Sequence, residues 1–208
     1  MEGPTLVIQK EEAQKFIGQQ ILSADGESKM DKQPLTGQKL VDIKTWGKHF
    51  LILLERATIR IHFLMFGSYY IDSRHPEKIP KLSLLFPNGG WNFYLCAVKM
   101  LEAGAENLDH WSTDVMNDNW NATKARKALK AQPETMVCDA LLDQQVFSGV
   151  GNIIKNEVLY RIQVHPESVV GALPAKKLSQ LMDQARIYSF DFYEWKKEGT
   201  LRQHWLAY

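Results

Sequence analysis

The break Ser148-Gly149-Val150-Gly151-Asn152 carries the residue types of an anion site. Two glycines admit backbone angles closed to other residues and let a second backbone approach closely. A helix beginning at Asn152 aims unpaired N–H groups at whatever sits there, and an anion is the natural guest. Asn152 adds a side-chain donor, and Lys155, one turn further on, adds positive charge. The same residues also suit a plain turn between two helices capped by Asn152, and Gly-x-Gly spacing does not choose between the two. Lys124, Arg126, Lys127 and Lys130 make a basic cluster that reads as a solvated helix face or as a contact face. Cys96 and Cys138 cannot form a four-ligand zinc site and lack CxxC spacing, so they read as free thiols in a reducing compartment.

The elements that must hold these residues are legible in outline. Lys10 to Gln20 places Phe16 and Ile17 on one apolar face, which predicts a short helix. Leu40 to Glu55 carries two apolar runs broken by Gly47-Lys48, a tight turn between strands. Ala57 to Phe63 alternates, with Ile59, Ile61 and Phe63 on one face and Thr58, Arg60 and His62 on the other. Leu82 to Phe86 and Trp91 to Leu95 flank Pro87-Asn88-Gly89-Gly90, a hairpin signal. Several short strands with turns between them suggest a sandwich or barrel. The second half reads as helices: Lys124 to Ala131, Cys138 to Phe147, Ile153 to Arg161, and Ala175 to Tyr188 behind Pro174. The composition shifts near residues 108 to 120, where a domain boundary is expected.

Composition excludes several classes. Of 208 residues, 45% are apolar and 24% charged, which rules out a disordered or low-complexity chain. The net charge of +1 does not announce a strongly basic nucleic-acid binder, though a local basic face remains open. No signal peptide and no apolar run long enough to span a bilayer are present, so a cytoplasmic protein of bacterial type is expected.

Leu141-Leu142-Asp143-Gln144-Gln145, Gly149-Val150-Gly151-Asn152, Glu157-Val158-Leu159-Tyr160 and His165-Pro166 follow one another in an order with few chance equivalents. Together they closely resemble the helix–two-turn–helix core of formamidopyrimidine-DNA glycosylase and endonuclease VIII. Met1-Glu2-Gly3-Pro4 looks like the family opening Pro-Glu-Gly-Pro, with methionine where proline stands. Trp46-Gly47-Lys48-His49-Phe50-Leu51 is similar to the family's Gly-Lys turn. His62-Phe63-Leu64-Met65-Phe66-Gly67-Ser68 looks like the loop that fills the gap left by an extruded nucleotide. The arginine- and phenylalanine-bearing loop of the formamidopyrimidine branch has no counterpart in Cys96 to Leu101, which favours the endonuclease VIII-like branch and oxidised pyrimidines.

The resemblance implies an α+β fold: a catalytic β-sandwich domain with a flanking helix over residues 1–112, and a helical domain with the helix–two-turn–helix motif over 113–208. It implies a DNA repair glycosylase with AP-lyase activity, acting as a monomer on damaged double-stranded DNA, nucleoid-associated and away from membranes. The Met1 α-amine would be the nucleophile and Glu2 the adjacent acid/base; an unperturbed α-amine has a pKa of about 7.7–8.0. Lys48 would hold the phosphate or sugar beside the lesion. Asn152, Gly151, Lys155 and His62 would bind DNA. Leu64, Met65 and Phe66 would plug the duplex. Thr5 replaces a family glutamate. The family's zinc belongs to a C-terminal four-cysteine finger; Leu201 to Tyr208 looks like its lead-in, and no cofactor is expected in this chain. Met1 also admits an alternative, a catalytically weak protein that binds damaged or abasic DNA. A third reading is a helical interaction module with no role on DNA.

Overall fold

The computed structural model describes residues 1–104 and 108–207. They fall into two compact units. One comprises Met1 and the described residues of Gln9–Asn107; the other comprises Glu2–Ile8 and the described residues of Leu108–Tyr208. The opening residues thus belong with the helical half. No boundary read along the chain reveals that, because membership follows contacts rather than sequence order.

The first unit is built on one antiparallel sheet of six strands: β1 (Ser23–Asp25), β2 (Leu40–Trp46), β3 (His49–Leu54), β4 (Ala57–Ile71), β5 (Leu82–Phe86) and β6 (Gly89–Glu102). Their order is β1-β5-β6-β4-β3-β2. Gly47-Lys48 joins β2 to β3, and Trp46 pairs with His49 across the turn. β4 and β6 are long enough to serve two halves of the sheet. Residues 57–63 of β4 pair with β3 and the end of β6, and residues 68–71 pair with the start of β6. Between them the register slips, and Phe50 of one half meets Trp91 of the other edge-on at 5.4 Å. The sheet therefore folds over on itself around an aromatic core of Phe16, Phe50, Phe86, Trp91 and Phe93. Burial of Ile59, Ile61 and Phe63 follows the alternation, as period-2 side chains on a half-buried strand must.

The flanking helix, α1 (Gly3–Glu12), begins well before the predicted Lys10 start. Pro4 lies in its first turn, where a missing N–H is tolerated and the fixed φ suits a helix. Only a short 3-10 turn, Ala13–Phe16, follows it, and it stacks Phe16 on Phe86 at 4.6 Å.

The second unit holds α2 (Ala122–Lys130), α3 (Val137–Leu142), α4 (Asn152–Arg161) and α5 (Ala175–Glu198). Val115, Leu129, Leu141, Phe147, Val150, Ile154, Val158 and Leu181 are among its core residues. α3 stops five residues short of the predicted Phe147. Asp143 turns the chain there, accepting the Gln145 N–H at 2.9 Å. α5 runs ten residues beyond the predicted Tyr188, because Phe192 and Trp195 continue its apolar face. It ends at Gly199, where φ is +74°. Among the described residues no helix is long and apolar enough to cross a membrane.

Candidate DNA-lesion site

In the second unit, the anion at the start of α4 comes from the protein itself. The buried Glu2 carboxylate accepts the N–H groups of Gly151 at 3.2 Å, Ile153 at 2.8 Å and Ile154 at 3.3 Å. These are groups that a helix leaves unpaired at its N-terminus, and a carboxylate there is doubly favoured, by hydrogen bonds and by the helix dipole. The Gly3 N–H donates to Gly149 O at 2.9 Å, so backbone and side chain both tie the opening of the chain to the glycine break. Gly151 leaves room for this approach: a Cβ there would lie 2.6 Å from Glu2 Cδ, so the carboxylate would have to shift. Gly151 is among the residues expected to meet DNA; its N–H donates to Glu2, and its missing Cβ leaves room for the carboxylate. Met1 precedes this clamp by one peptide bond and is half-buried. Thr5 is buried and donates its N–H to Glu2 O at 3.0 Å.

The exposed side of the same helix start carries Asn152, whose Oδ1 accepts a hydrogen bond from Lys155 Nζ at 3.2 Å. The pair presents an amide and an ammonium side by side. Behind them the two-turn segment is held by Gln144, a residue to which the sequence assigned no role. Its Nε2 donates to Leu142 O at 2.8 Å and Val150 O at 3.1 Å, and its Oε1 accepts from Gly149 N at 3.1 Å. Glu157, fully buried in α4, was also missed. Its carboxylate accepts N–H groups from Leu206 and Ala207 at 2.8–3.0 Å, fastening residues 206–207 to the helix; Tyr208 lies outside the described residues. Only tertiary contact identifies either role.

In the first unit, Lys48 sits half-buried in the β2–β3 turn. Its carbonyl lies 3.0 Å from His62 Nδ1, and since a carbonyl only accepts, Nδ1 carries the proton. His62, one of the residues expected to touch DNA, is joined to the Lys48 turn by this hydrogen bond. His49 packs against the His62 ring at 5.0 Å and under Trp46 at 4.9 Å. Burial, with help from His62 and Arg60, pushes the His49 pKa down to about 4 and keeps the ring neutral.

Leu64, Met65 and Phe66 lie in the register slip of β4, within a strand rather than in the loop the sequence suggested. Phe63 pairs with Cys96 and Ser68 with Tyr94, so four residues bulge against Leu95 alone. The bulge exposes Leu64 by 52%, Met65 by 79% and Phe66 by 81%. Phe66 holds φ at +64°, a conformation disfavoured for a bulky side chain. Gly67 permits the tight curl, since a Cβ there would meet Leu95 O at 2.8 Å. Exposed apolar side chains on a strained bulge are poor for solubility and suit insertion into something apolar.

No group of three His, Cys, Asp or Glu side chains among the described residues is arranged to hold a metal ion. Cys96, on β6, and Cys138, on α3, are free thiols. The family's zinc therefore does not fit the described residues.

Two family models match the chain. Residues 6–97 match the formamidopyrimidine-DNA glycosylase N-terminal domain, and residues 112–187 match the formamidopyrimidine-DNA glycosylase H2TH domain. Endonuclease 8-like 3 of Xenopus laevis is 31% identical over 200 residues, 90% of this chain and 32% of that protein. Human endonuclease 8-like 2 is 34% identical over 165 residues, 72% of this chain and 47% of that protein. The chain thus spans about a third to a half of these vertebrate relatives, which lend no support to the expected bacterial setting. Among solved structures, the Lactococcus lactis formamidopyrimidine-DNA glycosylase non-covalently bound to DNA containing an AP site superposes with a TM-score of 0.86 at 20% identity, covering 100% of this chain and 87% of that one. A viral DNA glycosylase superposes at 0.80 with 19% identity, covering 96% and 85%. With both domain models in sequence and the matching α+β fold, the chain belongs to the formamidopyrimidine-DNA glycosylase and endonuclease VIII family.

Proposed function

We propose that this chain is a DNA repair glycosylase with AP-lyase activity on oxidised bases, pyrimidines foremost. The observation that carries the reading is the Glu2 clamp: three backbone N–H donors fix a carboxylate one peptide bond from the Met1 amine. Fixing a nucleophile and a proton-transfer group together is worth far more than their separate presence. The neutral Met1 amine attacks C1′ of the damaged nucleotide. The glycosidic bond breaks and the base leaves with its electron pair, taking up a proton. The Glu2 carboxylate first takes a proton from the Met1 ammonium, which frees the neutral amine, and then delivers that proton to the departing sugar oxygen as the C1′–N imine forms. Loss of a C2′ proton then expels the 3′ phosphate and cuts the strand. Lys48, in the turn held by His62, neutralises a phosphate beside the lesion. Asn152 and Lys155 grip the backbone, and Leu64, Met65 and Phe66 fill the space of the flipped nucleotide.

Damaged duplex DNA is the proposed partner, met by a monomer divided into a sheet domain and a helix–two-turn–helix domain. The Lactococcus lactis relative bound to AP-site DNA supports this choice. Methionine in the family's proline position favours a second reading, in which the chain binds damaged DNA without cutting it. Proline restricts the backbone that carries its amine, and Met1 lacks that restriction. Borohydride trapping on a duplex with one abasic site separates the two. A covalent adduct mapping to the Met1 amine is expected. Measurable binding with no adduct would overturn the lyase reading in favour of damage binding.

A further inference from the structure

The α2 cluster left open by the sequence has an asymmetric surrounding. Lys124, Arg126, Lys127 and Lys130 occupy nine residues with no acid among them, although the whole chain is nearly neutral at +1. Leu129 and Ala125 bury one side of the helix, and Lys127 and Lys130 are exposed. Among the described residues no side-chain hydrogen bond or ion pair engages either ammonium. Arg126 is oriented by a hydrogen bond from Nη2 to Ser179 Oγ at 2.7 Å. Arg126 and Lys130 then line a cavity of about 210 Å³, whose other walls are Pro133, Val170, Gly171, Leu173, Ala175 and Leu178. Arg126 and Lys130 are the charged residues of a concave space whose other lining is apolar and carries no carboxylate.

We infer that this cavity seats a phosphate of the DNA backbone, with Arg126 and Lys130 as its ligands and Lys127 extending the contact along the strand. The inference rests on the proposed function and adds to it a duplex contact beyond the lesion site. A fixed guanidinium fork beside a flexible ammonium suits a compact, multiply charged oxyanion. A chain with so little net charge must draw a polyanion through local fields, and α2 is where positive charge is segregated.

Salt-dependent binding to an abasic duplex, read by fluorescence anisotropy, tests this. For Lys130→Gln and for Arg126→Gln/Lys130→Gln, the slope of log Kobs against log[salt] should fall by about 0.9, the value of one phosphate, with about fivefold weaker binding at 0.15 M salt. Lys29→Gln/Lys78→Gln, which removes exposed charge from the first unit, should keep the wild-type slope. The Lys130 ammonium makes no side-chain hydrogen bond among the described residues, so its single variant keeps the test decisive if loss of the Arg126–Ser179 bond impairs folding. An unchanged slope in Lys130→Gln overturns the inference, as does an equal fall in the control. Competition by a polyglutamate peptide with the wild type but not with Lys130→Gln would assign the cavity to an acidic protein segment instead. Wild-type protein that binds no duplex at all would sink the glycosylase reading, and this contact with it.

Discussion

The start of α4 and the bulge of β4 solve opposite problems. At α4, a buried carboxylate and helix N–H groups that would each be costly alone satisfy one another, and a second buried carboxylate, Glu157, takes the N–H groups of residues 206–207. At β4, three apolar side chains stand in solvent on a backbone strained at Phe66. One region is ordered by complete pairing. The other is left unsatisfied, and its stability must come from the sheet around it. Groups that must sit still during chemistry belong in the first kind of environment. Groups that enter a partner belong in the second, because their burial is deferred until binding.

Substitutions in the clamp at α4 are expected to damage both stability and cutting, whereas those on the bulge should damage only binding. The largest effect is expected for Glu2→Gln. Its amide turns a donor toward helix N–H groups, and cutting of an abasic duplex should fall by about 10²–10⁴-fold, the weight of a general acid–base group, with a lower melting temperature. Full cutting by this variant would remove Glu2 from the chemistry. Gly151→Ala comes next. The new Cβ displaces the Glu2 carboxylate, and overpacking of about 1–3 kcal/mol should appear in denaturant unfolding alongside slower cutting. Unchanged stability would show that the clamp yields easily.

On the bulge, Met65→Ala should weaken lesion-duplex binding by about tenfold, the burial of one apolar side chain, at an unchanged melting temperature. Phe66→Gly sharpens the comparison further. It relieves a left-handed φ, so it should melt no lower than wild type while binding the lesion more weakly. A marked fall in melting temperature would mean that the trio is core and not wedge.

The last effect, on the pH dependence of stability alone, concerns His49. Its pKa is lowered on folding, so the unfolded chain binds the extra proton first. Stability should be flat above about pH 6.5, decline as pH falls toward about 4, and level off below that. His49→Asn should flatten this stretch of the melting-temperature profile. A wild-type profile with no such slope would contradict the burial of His49 beside His62.

The sequence displayed whatever depends on near neighbours. Alternation along Ala57 to Phe63 marked the strand because side chains on a pleated strand repeat every two residues. Asn152 marked a helix start because the glycines before it cannot continue a helix. The lengths of α3 and α5 were harder to read, since the Asp143 turn and the packing of Phe192 and Trp195 depend on the surrounding core. The wedge was visible as residue types but not as a bulge, because register is set by the opposing strand.

What the sequence determined by itself was the family, the α+β division and the identity of the residues around each glycine break. The residue types at Gly149 to Asn152 left two readings of the start of α4 open, an anion site and a plain capped turn. That an anion sits there, and which anion it is, could be decided only by tertiary structure. Glu2 stands 149 to 152 positions away from its donors along the chain, and a carboxylate reads the same in sequence whether it faces solvent or closes a helix. Hydrogen bonding acts over about 3 Å of space, and that proximity exists only once the chain has folded.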